Sequence, residues 1–267
     1  MINIDSEVRK NQQNGFKETD SIAKVCQDII LNAINRSSFI ENVTIKGGIV
    51  MRSLSNNARR ATQDVDIDFI RYSLEDNSIR RFINKLNNID GIKIELYGNL
   101  EELKQQDYRG KRAYIKITDS FGFEVTTKVD IGVHKHLDIK QEEFCFDIAL
   151  TDDGVNLLIN SKEQIFTEKL RSILKFGANS TRYKDIFDMY WLSNQLDRTE
   201  LLHCFDILIF SDSGMKETSI KDIERRIRKV LENQDFRKHI SGSKKNWLDT
   251  EDDKACDGIL YYLKSLL

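Results

Sequence analysis

The chain has 267 residues, 40% of them hydrophobic and 31% charged, with four cysteines, no proline and a formal net charge of −2 at pH 7. That composition excludes a disordered chain, and no apolar run approaches the ~18 residues that cross a bilayer. The near-neutral charge also excludes a protein that is basic all over, so a nucleic-acid substrate would need a local patch.

The first residues, 1–18, are polar and lack the apolar core of a signal peptide. They are expected to be poorly ordered, and a cytoplasmic protein with no membrane partner is expected. Cys26, Cys145, Cys204 and Cys256 are widely separated with no CxxC pair, so reduced thiols are expected rather than zinc or disulfides. Thr19 or Asp20 can cap a helix with an apolar stripe of Ile22, Val25, Ile29, Ala33 and Ile34. Val43-Thr44-Ile45 then reads as a strand. Gly47-Gly48 makes a turn into a short helix holding Ile49, Val50, Met51 and Leu54. Backbone N–H groups at such a strand-to-helix turn can point at an anion. The GxxxxGK[ST] spacing of a Walker loop is absent.

Asp64-Val65-Asp66-Ile67-Asp68-Phe69 alternates acid with apolar residue. In a strand this sets Val65, Ile67 and Phe69 toward a core and Asp64, Asp66 and Asp68 in a row on the other face. Carboxylates so close repel one another, and a divalent cation relieves them; hard oxygen donors suit Mg²⁺, which commonly takes one or two carboxylates plus substrate phosphates. The plainer reading is an edge strand with a solvated acidic face.

Residues 73–88 read as a helix with Ile79, Phe82, Ile83 and Leu86 inward, and strands are expected at 92–96, 112–117 and 124–133. In the last of these, Val129, Ile131 and Val133 share one face and Lys128, Asp130 and Gly132 the other. Asp130 is placed to be a third acid, taking the proton of an attacking hydroxyl or completing a second metal site. After about Asp153 the pattern turns to long helical periodicity. Residues 161–176 put Phe166, Leu170 and Ile173 on one face with Lys169 on its flank, and Arg171 and Lys175 on the wet side. Residues 183–196 are apolar nearly all round yet carry Asp185 and Asp188 on one side. Lys169 therefore needs an anion, either a nucleotide phosphate or a structural carboxylate such as Asp185. Residues 219–233 bury Ile220, Ile223, Ile227 and Val230 and expose Arg225, Arg226, Arg228 and Lys229, a solvated face or a polyanion contact. No nucleophile–histidine pair, Rossmann GxGxxG or long repeat is present.

Gly47-Gly48 followed by Arg60-Ala61-Thr62-Gln63-Asp64-Val65-Asp66 resembles the signature of DNA polymerase β-like nucleotidyltransferases, in the form of the AbiEii/MenT branch. These are toxins of abortive-infection and type IV toxin–antitoxin systems. Glu163 with Glu168-Lys169-Leu170, and Arg182 through Asp188, are similar to the same branch, so the likeness runs from Thr44 to Leu192.

The resemblance implies an α+β fold: a polymerase β-like mixed-sheet domain over 1–155, then an all-helical domain over 156–267, with the active cleft between them. It implies Mg²⁺ in a two-metal site on Asp64, Asp66 and Asp130, with Lys169 and Asp185 completing the catalytic set. Gly47, Gly48, Arg60, Thr62 and Asp188 are implied in binding the NTP. The expected reaction transfers NMP to an acceptor hydroxyl, with a tRNA 3′ end as the expected acceptor, and a cognate antitoxin is the expected partner. Two rivals use the same residues: NMP transfer to a protein hydroxyl, and a degenerate fold that only binds.

Overall fold

Period-two alternation of apolar and polar residues builds one mixed sheet in the first part of the chain. The computed structural model describes residues 1–103 and 110–267. They form two compact units, Met1–Asn160 and Ser161–Leu267.

The first unit holds an eight-stranded sheet: β1 (Val43–Lys46), β2 (Val65–Phe69), β3 (Ile92–Leu96), β4 (Glu101–Leu103), β5 (Gly110–Asp119), β6 (Glu124–Val133), β7 (Glu142–Phe146) and β8 (Val155–Ile159). The order is β3-β5-β6-β2-β1-β8-β7, with β4 also on β5. β2–β6 and β1–β8 run parallel, and the remaining pairs antiparallel. Val43, Ile45, Val65, Ile67, Phe69, Val129 and Ile131 are all buried, so the apolar phase of each strand faces one core as alternation requires. The helices of this unit are α1 (Ile4–Gln13), α2 (Glu18–Asn35), α3 (Gly47–Ser55) and α4 (Asp76–Lys85). α2 packs on β6 and β8, α3 on β1 and β2, and α4 on β3.

Two expectations are corrected in this unit. The first residues form α1: Asn3 caps it by accepting from the Ser6 amide at 2.8 Å, and Ile4 and Val8, one turn apart, are buried. The Ile4 amide also donates to Asp119 Oδ2 at 2.9 Å. Polarity of the segment as a whole hid that two-residue apolar stripe. The helical reading from Asp153 onward fails over β8, where Val155, Leu157 and Ile159 are buried in alternation. A five-residue apolar run does not by itself separate strand from helix. Its partner decides: β1 pairs it in parallel, Thr44 opposite Leu158 and Ile45 opposite Ile159.

The second unit is helical: α5 (Lys162–Phe176), α6 (Tyr183–Leu192), α7 (Arg198–Phe205), α8 (Ile220–Leu231), α9 (Gln234–Gly242) and α10 (Asp252–Ser265). Ser161 caps α5 by accepting from the Gln164 amide at 3.1 Å. Ile186, Phe187, Met189 and Leu192 of α6 and Ile223, Ile227 and Val230 of α8 are buried. Arg171, expected on the wet side, is buried and pairs with Asp212. Long cationic stems cross apolar surface when a carboxylate waits at the end, which periodicity alone does not show. Among the described residues no helix is long and apolar enough to cross a membrane.

Candidate active site

Register places four charged residues in one row across four strands. Lys46 of β1 lies opposite Asp66 of β2, Asp66 opposite Asp130 of β6, and Asp130 opposite Arg112 of β5. Adjacent strands are about 4.8 Å apart, so the row sets two acids side by side with a cation at each end. A second row holds Thr44, Asp68 and Gly132. Asp68 is buried, and Lys46 Nζ reaches across to its Oδ1 at 2.7 Å. A Cβ at Gly132 would sit 2.1 Å from the same oxygen, so the glycine leaves the space that the Asp68 carboxylate fills. Asp64 stands half-buried just before β2.

The acids differ in how they are held. Arg112 grips Asp130 with both prongs, Nε to Oδ1 at 2.7 Å and Nη2 to Oδ2 at 2.8 Å. That hydrogen-bonded pair raises the arginine's pKa further and leaves Asp130 less available to a metal. Asp66 has no such clasp. Burial pushes its pKa up to about 6; Lys46 pulls it down, and the charges of Asp130, Asp64 and Asp68 add to the rise. Among the described residues no three His, Cys, Asp or Glu side chains converge on a point that a metal could occupy. The set Asp64, Asp66 and Asp130 is therefore brought to one sheet face without forming a three-carboxylate nest.

The glycine pair meets the acids directly. Gly47 opens α3 at φ +66°, and a Cβ there would lie 2.3 Å from Asp66 Oδ2. A Cβ on Gly48 would lie 2.4 Å from Thr62 Oγ1 and 2.5 Å from Thr62 Cβ. No side chain caps the N-terminus of α3 and no acid occupies its first turn, so its amides are set for an anion next to Asp66. The loop carrying Thr62 is tied from below: Gln27 Nε2 donates to the Thr62 carbonyl at 2.8 Å, and Arg52 donates to Gln27 Oε1. Arg60 is buried beside it. Gly47→Ala should cost roughly 1–3 kcal/mol, from the left-handed backbone and the clash with Asp66. Gly15→Ala, at φ +92° with nothing within 4 Å, isolates the backbone contribution. Urea unfolding of both variants measures the difference, and equal losses would mean that the Asp66 contact is slack.

The remaining predicted residues lie in the second unit and are brought together there. Lys169 Nζ contacts Asp185 Oδ1 at 2.5 Å and Asp188 Oδ2 at 2.8 Å, while Asp188 Oδ1 accepts from Trp247 Nε1 at 2.9 Å. Of the two anions open to Lys169, the structural carboxylate is present, and doubled. The basic face of α8 is largely matched by its own acids. Arg225 pairs with Asp222, Arg228 with Glu224 and Glu232, and Arg226 donates to the Leu174 carbonyl.

Sequence reasoning missed Lys46, Arg112 and Gln27. Lys46 was findable, since it shares the strand phase of Thr44 and directly precedes the glycines. Arg112 becomes visible only through the β5–β6 register, and Gln27 only through the loop above it.

The family model described as "Nucleotidyl transferase AbiEii toxin, Type IV TA system" matches residues 29–257. No curated protein matches the chain. Among solved structures, the chain is similar to an antigenic nucleotidyltransferase-like protein from Paracoccidioides brasiliensis, at 14% identity and a TM-score of 0.47, over 82% of this chain and 92% of that one. At that score the likeness adds nothing to the family match.

Proposed function

The chain belongs to the AbiEii nucleotidyltransferase toxin family of type IV toxin–antitoxin systems, and we propose that it transfers NMP from an NTP to the 3′-hydroxyl of an RNA, with Mg²⁺ held by Asp64 and Asp66. The protein is a nucleotidyltransferase, and its family implies an NTP substrate and an antitoxin partner. A tRNA as the acceptor and a cytoplasmic setting complete the proposal.

The observation that carries this reading is the contact of Gly47 with Asp66. It puts uncapped helix amides, which suit the β- and γ-phosphates, beside the carboxylate that suits a metal on the α-phosphate. The donors fit Mg²⁺: hard oxygens, an excess of negative charge around Asp66, and no side chain on the glycine to fill the space. Bound there, Mg²⁺ would polarise the α-phosphate and steady the oxygens entering and leaving in line. The protein's own share is positioning. Gly47 and Gly48 fix the triphosphate tail. Asp130, oriented by Arg112, is available to accept the proton of the attacking hydroxyl.

The test is incubation of the protein with each α-labelled NTP and total RNA, with and without EDTA. Label at RNA 3′ ends, lost with EDTA, is expected. Label on protein alone would replace the acceptor, and no label with any NTP would overturn the reaction.

A further inference from the structure

Strand β6 starts earlier than its neighbour. Val129 is opposite Val65, the first residue of β2, so residues 124–128 are paired with β5 on one side and meet no β2 on the other. The notch this leaves opens a cavity of about 390 Å³, lined by Ile22 and Ala23 of α2, by Asp64, and by Tyr97, Tyr114 and Lys128. Clefts that hold a nucleoside-sized ligand start near ~300 Å³.

Thr127 also lines this cavity. Its side chain is only 8% exposed, yet its hydroxyl has no hydrogen-bond partner among the described residues. Buried hydroxyls are nearly always satisfied, so an orphan on a residue lining a cavity is a place where a ligand group or a water can bond. Tyr97 is 62% exposed. An open tyrosine ring at a cavity rim is a stacking platform, and every nucleobase has a face to stack. Lys128 is exposed, makes no ion pair among the described residues, and lies two positions before Asp130 on the same strand face.

Position decides which part of the reaction this cavity serves. Asp64 is on its rim. The glycine pair follows β1, on one side of β2, whereas the cavity lies toward β6, β5 and β3, on the other. In-line transfer needs the attacking hydroxyl to enter opposite the departing pyrophosphate. With the pyrophosphate on Gly47 and Gly48, the attacker enters from the cavity side.

We infer that this notch is the acceptor subsite, holding the 3′-terminal nucleotide of a single-stranded RNA with its base on Tyr97, its polar edge or ribose hydroxyl on Thr127, and its phosphate on Lys128. The inference rests on the transfer reaction proposed above. A free strand edge can also take an extended peptide. Here the edge ends at Asp64, where β2 takes over, and the lining of two tyrosines and an unpaired lysine suits a nucleotide better.

The test reads binding apart from catalysis. The full chain is titrated into a 5′-dye-labelled, mixed-sequence RNA oligonucleotide with a free 3′-hydroxyl, followed by anisotropy. NTP binding is measured separately by calorimetry. Tyr97→Ala and Thr127→Val should each weaken oligonucleotide binding by about tenfold while NTP affinity changes by less than about twofold. Thr127→Val should not lower the thermal midpoint, because the hydroxyl has no bond to lose. Unchanged oligonucleotide binding in both folded variants would overturn the subsite and leave the reaction standing. A fall in NTP affinity instead would make this the donor-base pocket and overturn it equally, as would no binding of the RNA by the unaltered chain. If the variants weaken RNA binding but no label is ever transferred, the notch stands as an RNA 3′-end site while the reaction, and with it the acceptor role, falls.

Discussion

Asp66→Asn should abolish nucleotidyl transfer and at the same time make the free protein more stable at neutral pH. The folded-state pKa of about 6 lies above the ordinary 3.8 of an unfolded aspartate. The folded chain therefore binds more protons between those values, and stability falls as pH rises through that window. Ionising Asp66 costs the folded state up to about 3 kcal/mol, a penalty complete above pH 6 and absent below about pH 4. Asparagine is never charged, so the variant escapes the penalty while losing the carboxylate proposed to hold the metal. The measurement is urea unfolding of both proteins at pH 4.5 and 7.5, without added metal. The variant's advantage should be larger at pH 7.5 than at pH 4.5, by about 2 kcal/mol. Equal stability at both pH values would show that the carboxylate sits comfortably, and full transfer by the folded variant would sink the mechanism.

Lys169→Met should be the most destabilising of these substitutions. Its side chain is 11% exposed, and it leaves behind Asp185 at 13% and Asp188 at 0%. Removing one partner of a buried ion pair costs about 3–5 kcal/mol, since the remaining charge is left without compensation. Adding Asp188→Asn should recover much of the loss, because the amide oxygen can still accept from Trp247 Nε1 while one stranded charge disappears. If Lys169 serves only a triphosphate, the result reverses: unfolding is unchanged and NTP affinity drops by at least tenfold, or ~1.4 kcal/mol.

What could be read from the sequence follows from how local each signal is. The acidic strand, the glycine turn and Asp130 were legible because period-two alternation assigns faces without knowledge of the neighbours. The match of Asp66 to Asp130 was implied by phase but fixed by register. The grip of Arg112 on Asp130 was not legible, because nothing in 110–119 marks which of its cations meets an acid across the strand. The orphan hydroxyl of Thr127 was hidden for a different reason. It depends on β2 starting where it does, and a strand's start is set by competition for partners rather than by its own residues. In the helical unit, periodicity found α5, α6 and α8 but misplaced Arg171, whose burial depends on Asp212 far along the chain.

If the nucleotide binds as proposed, the charged row also governs how it arrives. Lys46 and Arg112 offset two of the four carboxylates Asp64, Asp66, Asp68 and Asp130, and the surplus equals the charge of a single dication. A naked triphosphate approaching α3 therefore meets like charge at the very place where the helix amides invite it. A triphosphate that arrives with its own dication carries less negative charge and so meets less of that repulsion. Affinity for the nucleotide and affinity for the cation are thus two faces of one quantity, each rising with the concentration of the other.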